Sequence, residues 1–454
     1  MFLSTNLEWL TLVDIINFQL NLCKKQRILI SLFRHKYLNQ RADFMFRNKF
    51  IYIIFIALLI IPLLFAFILF LEFFTGNGDG ILFDLDIKVT AFNTLLILSI
   101  TISTIYLFIY GPKLIQGIVF FIILTSLLIW GLEKASSYIL YLKEPKQATT
   151  TTTSKPFLRP DYTDSFVEDD TLGVKAKPNW KLKWLPVKDN ITYDSIFISV
   201  DSMSRRITPA IDSLPRKNFA VFLGCSYTYG DGVTDSETLP FYFQKYTSNF
   251  KPYNYGFLAY SPLHMLALLK HYPLKKTVKE TDGVGIYTMI NDHLDRVIPA
   301  SRWVDMTNGK FPYLNTKTMT TDGIFCNKRR LYTYLIKNFH NSGIQRLFNI
   351  GYPRVHTTDH FILLNNIITE AREAYKKQFK NDRFYVVIFP GNPVSPELMQ
   401  LMKQSKLKVL DYSDLLHTPN KLLPYDVMLP FDVSHPKGEL YNTVAAQLAK
   451  DVRL

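Results

Sequence analysis

Long apolar runs crowd the first third of this chain, and shorter alternating patterns fill the rest. Residues 50–74 begin Phe50-Ile-Tyr-Ile-Ile-Phe-Ile-Ala-Leu-Leu-Ile-Ile61 and meet no charge until Glu72. Rising 1.5 Å per residue, a helix of that length crosses the hydrocarbon core of a bilayer. Residues 91–110 and 114–131 repeat the pattern with only Gly111-Pro112-Lys113 between them, which predicts a tight helical hairpin. Residues 50–135 therefore read as a region of three transmembrane helices. Within the linker expected at 136–156, Lys143-Glu-Pro-Lys-Gln-Ala-Thr-Thr-Thr-Thr-Thr-Ser-Lys155 is a low-complexity tether.

Beyond the tether the periodicity shortens. Tyr193-Asp-Ser-Ile-Phe-Ile-Ser-Val200 alternates like a strand, so residues 157–217 read as a small β-rich addition. From 218 to 454 strand and helix patterns alternate. Strands are expected at 219–224, 284–290, 384–389 and 407–411, and helices at 237–247, 261–271, 360–378, 394–404 and 437–452. In the last helix Leu440, Val444 and Leu448 recur at spacing four, the mark of a buried face. Such alternation predicts an α/β fold: a parallel sheet with helices on both faces.

Composition and charge refine this picture. The chain is 48% hydrophobic and carries a formal net charge of +14. Much of that charge has one source. Lys24, Lys25, Arg27, Arg34, Lys36, Arg41, Arg47 and Lys49 precede the first apolar run, with Asp43 as their acidic neighbour. Residues 1–22 carry Asn6, Glu8, Asp14, Asn17 and Asn21 among apolar positions and suit an amphipathic surface helix. Positive flanks stay cytoplasmic, so residues 1–49 are placed inside. The acidic loop 75–90, with Asp79, Asp84 and Asp86, then falls outside, and an odd number of spans exports everything after about 135. The expected location is the cytoplasmic (inner) membrane, multi-pass, with the C-terminal domain outside on the periplasmic side. Basic residues interleaved with aromatics do not stripe the soluble part, which speaks against a nucleic-acid partner. Cys23, Cys225 and Cys326 are too few for a disulfide framework; free, buried thiols are the preferred reading, and a Cys225–Cys326 pair in an oxidising compartment is the alternative. Oligomeric state is not legible in the sequence.

Ligands of an open α/β sheet bind at the carboxyl ends of its strands. Three segments fall there. Phe219-Ala-Val-Phe-Leu-Gly224 ends in a small residue that permits a sharp turn, followed by Cys225-Ser226. On its own, Ser226 is better explained by capping the next helix. Asp432-Val-Ser-His435 has a spacing that lets a carboxylate orient an imidazole, leaving the other ring nitrogen to take a proton from a serine. A third strand ends at Asn291, whose amide is a candidate donor to a developing oxyanion. His356-Thr-Thr-Asp-His360 pairs two histidines at helical spacing, but it lacks a nearby third ligand and the Glu of a zinc-protease motif, so no metal is expected. His264, His271 and His293 are expected at the cleft edge or surface.

Taken together, these segments resemble the SGNH/GDSL hydrolase family. Phe222-Leu-Gly-Cys-Ser-Tyr-Thr-Tyr-Gly-Asp-Gly-Val233 with Glu237-Thr-Leu-Pro240 is similar to its first block. Asn254-Tyr-Gly-Phe-Leu-Ala-Tyr260 is similar to the second, Ile290-Asn-Asp292 to the third and Asp432-Val-Ser-His435 to the last, in the family's order across residues 218–454. The resemblance implies a three-layer α/β/α sandwich of flavodoxin-like type, preceded here by the three transmembrane helices, and serine-dependent ester hydrolysis or acyl transfer without a cofactor. It makes Ser226 the nucleophile, His435 the general base and Asp432 its orienting partner, with Asn291 and the amides of Ser226 and Ala259 as the oxyanion hole. Two positions depart from the pattern: Cys225 stands where the family has Asp, and Ala259 where it has Gly. The expected function is a membrane-anchored esterase or deacylase acting on an O-acylated glycan or lipid. An O-acyltransferase using the same residues and a non-catalytic glycan-binding module are the alternatives.

Overall fold

The computed structural model describes residues 112–143 and 163–452, with isolated positions before them. The span expected at 50–74, most of that at 91–110, the basic cluster beyond Lys24 and Lys25, and the tether at 144–156 lie outside the described residues. The chain divides into two compact units, Met1–Trp130 and Gly131–Leu454.

Helix α1, Lys113–Lys143, is the one described helix long and apolar enough to cross a membrane. It covers the span expected at 114–131 but runs to Lys143, through residues expected to belong to a linker. The reason is local. Leu132-Glu-Lys-Ala-Ser-Ser-Tyr-Ile-Leu-Tyr-Leu-Lys143 holds no helix breaker, and the first proline is Pro145. No charged residue falls between Lys113 and Glu133, so the apolar part of the helix is 114–132.

Residues 163–200 form short antiparallel pairs: Phe166–Asp169 with Gly173–Ala176, Lys181–Trp184 with Ile196–Ser199, and Val187–Lys188 with Ile191–Thr192. Leu172, Ile196, Ile198 and Val200 are buried and belong to the same hydrophobic core as the strands that follow. The first pair closes on Asp169, which accepts from the amides of Thr171 and Leu172 and from the Tyr272 hydroxyl at 2.6 Å, and pairs with Lys175 at 2.9 Å.

The main sheet has five parallel strands: β1 (Asn218–Leu223), β2 (Phe250–Asn254), β3 (Asp282–Met289), β4 (Phe384–Ile388) and β5 (Lys408–Asp411). Their spatial order is β2-β1-β3-β4-β5. This is the flavodoxin-like order, whose switch point lies between β1 and β3. Phe219 to Leu223 are fully buried, as a central parallel strand covered on both faces must be. Helix α2 (Ser226–Tyr229) follows β1 directly, and α3 (Leu239–Tyr246) leads to β2. Next come α4 (Pro262–His271) and, after β3, α5 (Asp292–Val297). Helices α6 (Arg330–Phe339) and α7 (Gly343–Phe348) belong to a long excursion before the crossover helix α8 (Thr358–Phe379). Helix α9 (Pro396–Gln404) joins β4 to β5, and α10 (Gly438–Asp451) ends the described chain. Helix α3 packs against α10, whereas α8 packs against both α4 and α9.

Strand β2 does not announce itself in the sequence. Phe250-Lys-Pro-Tyr-Asn254 contains a proline, which cannot donate to a ladder and is confined to sheet edges. β2 is such an edge strand: its ladder runs along β1, and its other side carries a single bridge, from Arg206 to Asn254.

Burial alone would raise the pKa of Asp169, but the Tyr272 hydroxyl, Lys175 and the two amides outweigh it and hold the carboxyl at about 2. A depressed carboxylate contributes stability that is complete above its ordinary value of 3.8 and is lost as pH falls through about 2. Protection of the amides of residues 166–176, relative to their unfolded exchange rates, is therefore expected to fall over that window. In Asp169→Asn the same segment should be loosened at neutral pH and should lose this acid dependence.

Candidate active site

The site is built at the switch point. β1 ends at Leu223, and Gly224 turns the chain with φ +151°. A Cβ at Gly224 would lie 2.1 Å from the Thr228 hydroxyl, so the turn excludes every side chain. Cys225 takes the N-cap position of α2 and is fully buried, and Ser226 is the helix's first residue. The Ser226 amide thus belongs to the helix N-terminus, where N–H groups lack intrahelical acceptors. Gly230, left-handed at φ +85°, ends the helix.

Two side chains hold this turn from outside. Asn254, at the end of β2, donates to the carbonyls of Thr228 (3.0 Å) and Tyr229 (3.4 Å) and accepts from the amide of Gly256. Arg206 arrives from the segment after the β-rich addition and is buried. Its guanidinium donates to the carbonyls of Tyr229 (2.9 Å), Gly230 and Val233 (2.6 Å) and pairs with Asp235 at 3.0 Å. It also lies over the Tyr229 ring, 4.9 Å from its centroid. Asp235 accepts the amide of Ser199, and Thr234 bonds both backbone groups of Phe197. The addition is thereby stitched to the loop that follows the serine.

The second half of the site lies just before α10. Leu429 N–H donates to the carbonyl of His435 at 2.9 Å, pinning the loop back on itself. Within the loop, Asp432 Oδ2 lies 2.7 Å from His435 Nδ1, and His435 Nε2 lies 3.0 Å from Ser226 Oγ. Ser226 and His435 are both buried at 8% exposure, so little water competes for this bond. A proton on Nδ1 directed at Asp432 leaves Nε2 as the acceptor facing the serine hydroxyl. The serine, histidine and aspartate singled out from the sequence therefore meet in one hydrogen-bonded chain, with the geometry to deprotonate a hydroxyl.

Three contributors to this arrangement escape the sequence reading. Ser434 donates its hydroxyl to Asp432 Oδ1 at 2.5 Å and lies 3.1 Å from His435 Nδ1. The Tyr227 hydroxyl donates to the Ser434 carbonyl at 3.0 Å, tying α2 to the aspartate-histidine loop, and its own pKa is raised by burial. Asp231, also buried, places Oδ2 at 3.7 Å from His435 Nε2, a distance for charge attraction rather than a hydrogen bond. Asp231 is the residue for which a signal existed, since it lies inside the block that carries Ser226. The ligand atoms of Asp231, Asp432 and His435 lie within 4.8 Å of one another, close enough to suggest a cation. Both ring nitrogens of His435 are already engaged by Asp432 and Ser226, so these residues fit a proton relay and not a metal.

The expected oxyanion donors divide. Ala259 has φ +59°, the left-handed conformation a glycine adopts freely, so the backbone path survives the alanine. The Asn291 backbone N–H donates to Asn392 Oδ1 at 3.0 Å. With its amide turned so that the nitrogen faces the carbonyls of Asn392 and Pro393, the side chain would donate to both at 3.1 Å, so the loop after β4 competes for it. The helix α5 begins at Asp292, and an exposed residue at its start is within reach of that loop's open carbonyls.

The other histidines also correct the sequence reading. His264 is buried, caps α4 through Ser261, and burial lowers its pKa to about 3. His293 is fully buried, bonded to Tyr287 at 2.6 Å and held neutral by desolvation. Neither lines a cleft edge; both sit in the core because each has one buried polar partner. His271 bonds Thr321, and His356 bonds Asp295 at 2.7 Å while His360 caps α8, so the last two share no metal geometry. Cys225 and Cys326 are free thiols.

No family model matches the chain. No curated protein matches it either. Among solved structures, a member of the lipolytic protein G-D-S-L family from Veillonella parvula aligns over 52% of this chain and 99% of its own, at 12% identity and a TM-score of 0.30. A catalytic mutant of an acetylxylan esterase from Geobacillus stearothermophilus aligns over 54% of this chain and 97% of its own, at 11% identity and a TM-score of 0.29. Likeness at this level does not extend to activity, which rests on the chain's own geometry.

Arg206→Met removes the cation but leaves Asp235 and three carbonyls buried. Breaking a buried pair in this way costs roughly 3–5 kcal/mol. A fall of that size in urea-unfolding stability is expected, and Arg206→Lys should recover only part of it because an ammonium lacks the fork.

Proposed function

We propose that this chain is a membrane-anchored serine hydrolase of SGNH/GDSL type, an esterase or deacylase whose catalytic unit lies outside the cytoplasmic membrane and removes acyl groups from an O-acylated glycan or lipid. The observation that carries this reading is the continuous chain from Asp432 Oδ2 through His435 to Ser226 Oγ, with links of 2.7 and 3.0 Å. In this mechanism Ser226 Oγ attacks the ester carbonyl while His435 Nε2 takes its proton. Asp432 keeps the ring in the required tautomer and stabilises the imidazolium, and Asp231 adds a second negative charge near the protonated nitrogen. The tetrahedral intermediate collapses as His435 returns the proton to the departing alcohol. Water then repeats the sequence on the acyl-enzyme and releases the acid.

The amides of Ser226 and Ala259 are the proposed oxyanion donors. Asn291 joins them by exchanging its contacts with Asn392 and Pro393 for the substrate oxygen. The anchor is supported by the length and composition of α1, and the external orientation by the charge pattern around the expected spans. A non-catalytic role is the weaker reading, because a binding module has no need for a serine, histidine and aspartate in register. Hydrolysis and transfer use the same residues and differ only in the acceptor that resolves the acyl-enzyme.

Three outcomes are expected. A fluorophosphonate probe should label the full-length protein at Ser226, and Ser226→Ala should abolish both labelling and ester turnover. Unlabelled protein with unaltered ester turnover in Ser226→Ala would sink the proposal. Asp432→Asn should lower kcat by a factor on the order of 10⁴, as loss of the orienting carboxylate does in such triads. Asn291→Ala should lower kcat by about 10²–10³ with little change in KM if its amide reaches the oxyanion; an unchanged kcat removes it from the hole. Product analysis with a polyol acceptor present separates free acid from transferred ester.

A further inference from the structure

The excursion between β3 and α8 contains a surface that catalysis does not explain. Between Asp322 and Asp359 the sequence holds no acidic residue, yet it carries Lys328, Arg329, Arg330, Lys337, Arg346 and Arg354. Helix α6 lies in this stretch and is strongly amphipathic. One side faces the protein. Thr333 is buried, Tyr332 and Ile336 pack on the core, and the Tyr332 hydroxyl donates to the Pro299 carbonyl. The other side is apolar and open. Leu331 is 71% exposed, Tyr334 64% and Leu335 54%, at the spacing of a single helical stripe. Phe348 at the end of α7 and Val355 before α8 are similarly exposed, at 62% and 71%. An outward apolar stripe on a cationic segment is the pattern of a helix lying in the plane of a membrane interface.

A second observation says which surface covers it. Glu133 is the first charged residue after the apolar part of α1, the point at which a spanning helix leaves the hydrocarbon. Its carboxylate accepts the amides of Gly343 (2.5 Å) and Ile344 (3.0 Å), the first residues of α7. Gly343 lies so close to α1 that a Cβ there would be 2.3 Å from the Ser137 hydroxyl. The excursion is therefore fastened to α1 immediately beyond its apolar part.

We propose that residues 325–356 are a docking element that seats the catalytic unit on the surface of the anionic bilayer in which α1 is anchored. Leu331, Tyr334, Leu335 and Phe348 enter the interface, and Arg329, Arg330 and Lys337 meet anionic headgroups. The element also bears on the site. His356 bonds Asp295 on α5, the helix that starts immediately after Asn291. Docking thus fixes the position of the catalytic unit relative to the membrane. The inference shares the membrane anchor with the proposed function but not the chemistry.

The test uses the full-length chain with Cys23 and Cys326 replaced by serine, in nanodiscs of phosphatidylcholine alone or mixed with phosphatidylglycerol. Spin labels are placed singly at Leu335→Cys, at Phe120→Cys on α1 and at Thr443→Cys on the exposed face of α10. Collision with oxygen and with a water-soluble nickel chelate reports the depth of each label. The label at position 335 should be oxygen-accessible and shielded from nickel when phosphatidylglycerol is present, while that at 443 stays nickel-accessible. Replacing Arg329, Arg330 and Lys337 by Gln should abolish the dependence on phosphatidylglycerol. If the label at 120 is in lipid and that at 335 remains nickel-accessible in both membranes, the docking inference is overturned while the anchor stands. A label at 120 in water would instead overturn the anchor, and docking with it. Spin–spin broadening at 335 with shielding from both reagents would mean that a second copy of the chain covers the stripe, and would also overturn the proposal.

Discussion

A buried guanidinium organises the region around Ser226. The loop after Ser226 runs from Tyr229 to Val233 with its carbonyls turned inward, and burying such groups unpaired is costly. Arg206 answers three of them with one planar fork and is itself neutralised by Asp235. Its backbone meanwhile bridges Val200 on one side and Asn254 on the other. The nucleophile turn, the edge strand and the β-rich addition thus share a single anchor. The addition is part of the scaffold of the site, and its strands supply the amide and carbonyl contacts that fix residues 234 and 235.

The fold was legible where the physics is local. Buried parallel strands are written as unbroken apolar runs, and β1, β3, β4 and β5 lie within a few residues of their expected places. The long helices α8 and α10 are similarly marked by their periodicity. Strand β2 was illegible because its proline and lysine suit an exposed edge and look like a loop. The short elements between β3 and α8 were illegible for another reason: they pack through a few isolated residues and leave no period. Helix α1 outruns its apolar stretch because hydropathy marks where a run of apolar residues ends, not where the helix ends.

For the site, the sequence supplied the residue types and their order, and proximity came only from the fold. Ser226 alone was ambiguous with a cap, and it does occupy a helix start. Arg206 and Tyr227 act through contacts to backbone carbonyls, which no residue pattern encodes, and Ser434 acts through the side chains of its neighbours Asp432 and His435. Asn291 shows the opposite limit. Its position at a strand end was correctly read, but the carbonyls of Asn392 and Pro393, about a hundred residues on, compete for its amide. Those partners are set by tertiary packing alone.

The hydrogen bond between Ser226 and His435 closes a separation of 209 residues. Everything needed to present the serine, including Gly224, Asn254 and Arg206, lies within the first half of the catalytic unit, but its base lies near the chain's end. A polypeptide made from its N-terminus therefore contains the serine and its turn long before the histidine that bonds it. The hydrogen-bonded chain from Asp432 to Ser226 can assemble only once α10 has closed against α3, so Ser226 remains an ordinary hydroxyl until the last described helix has folded.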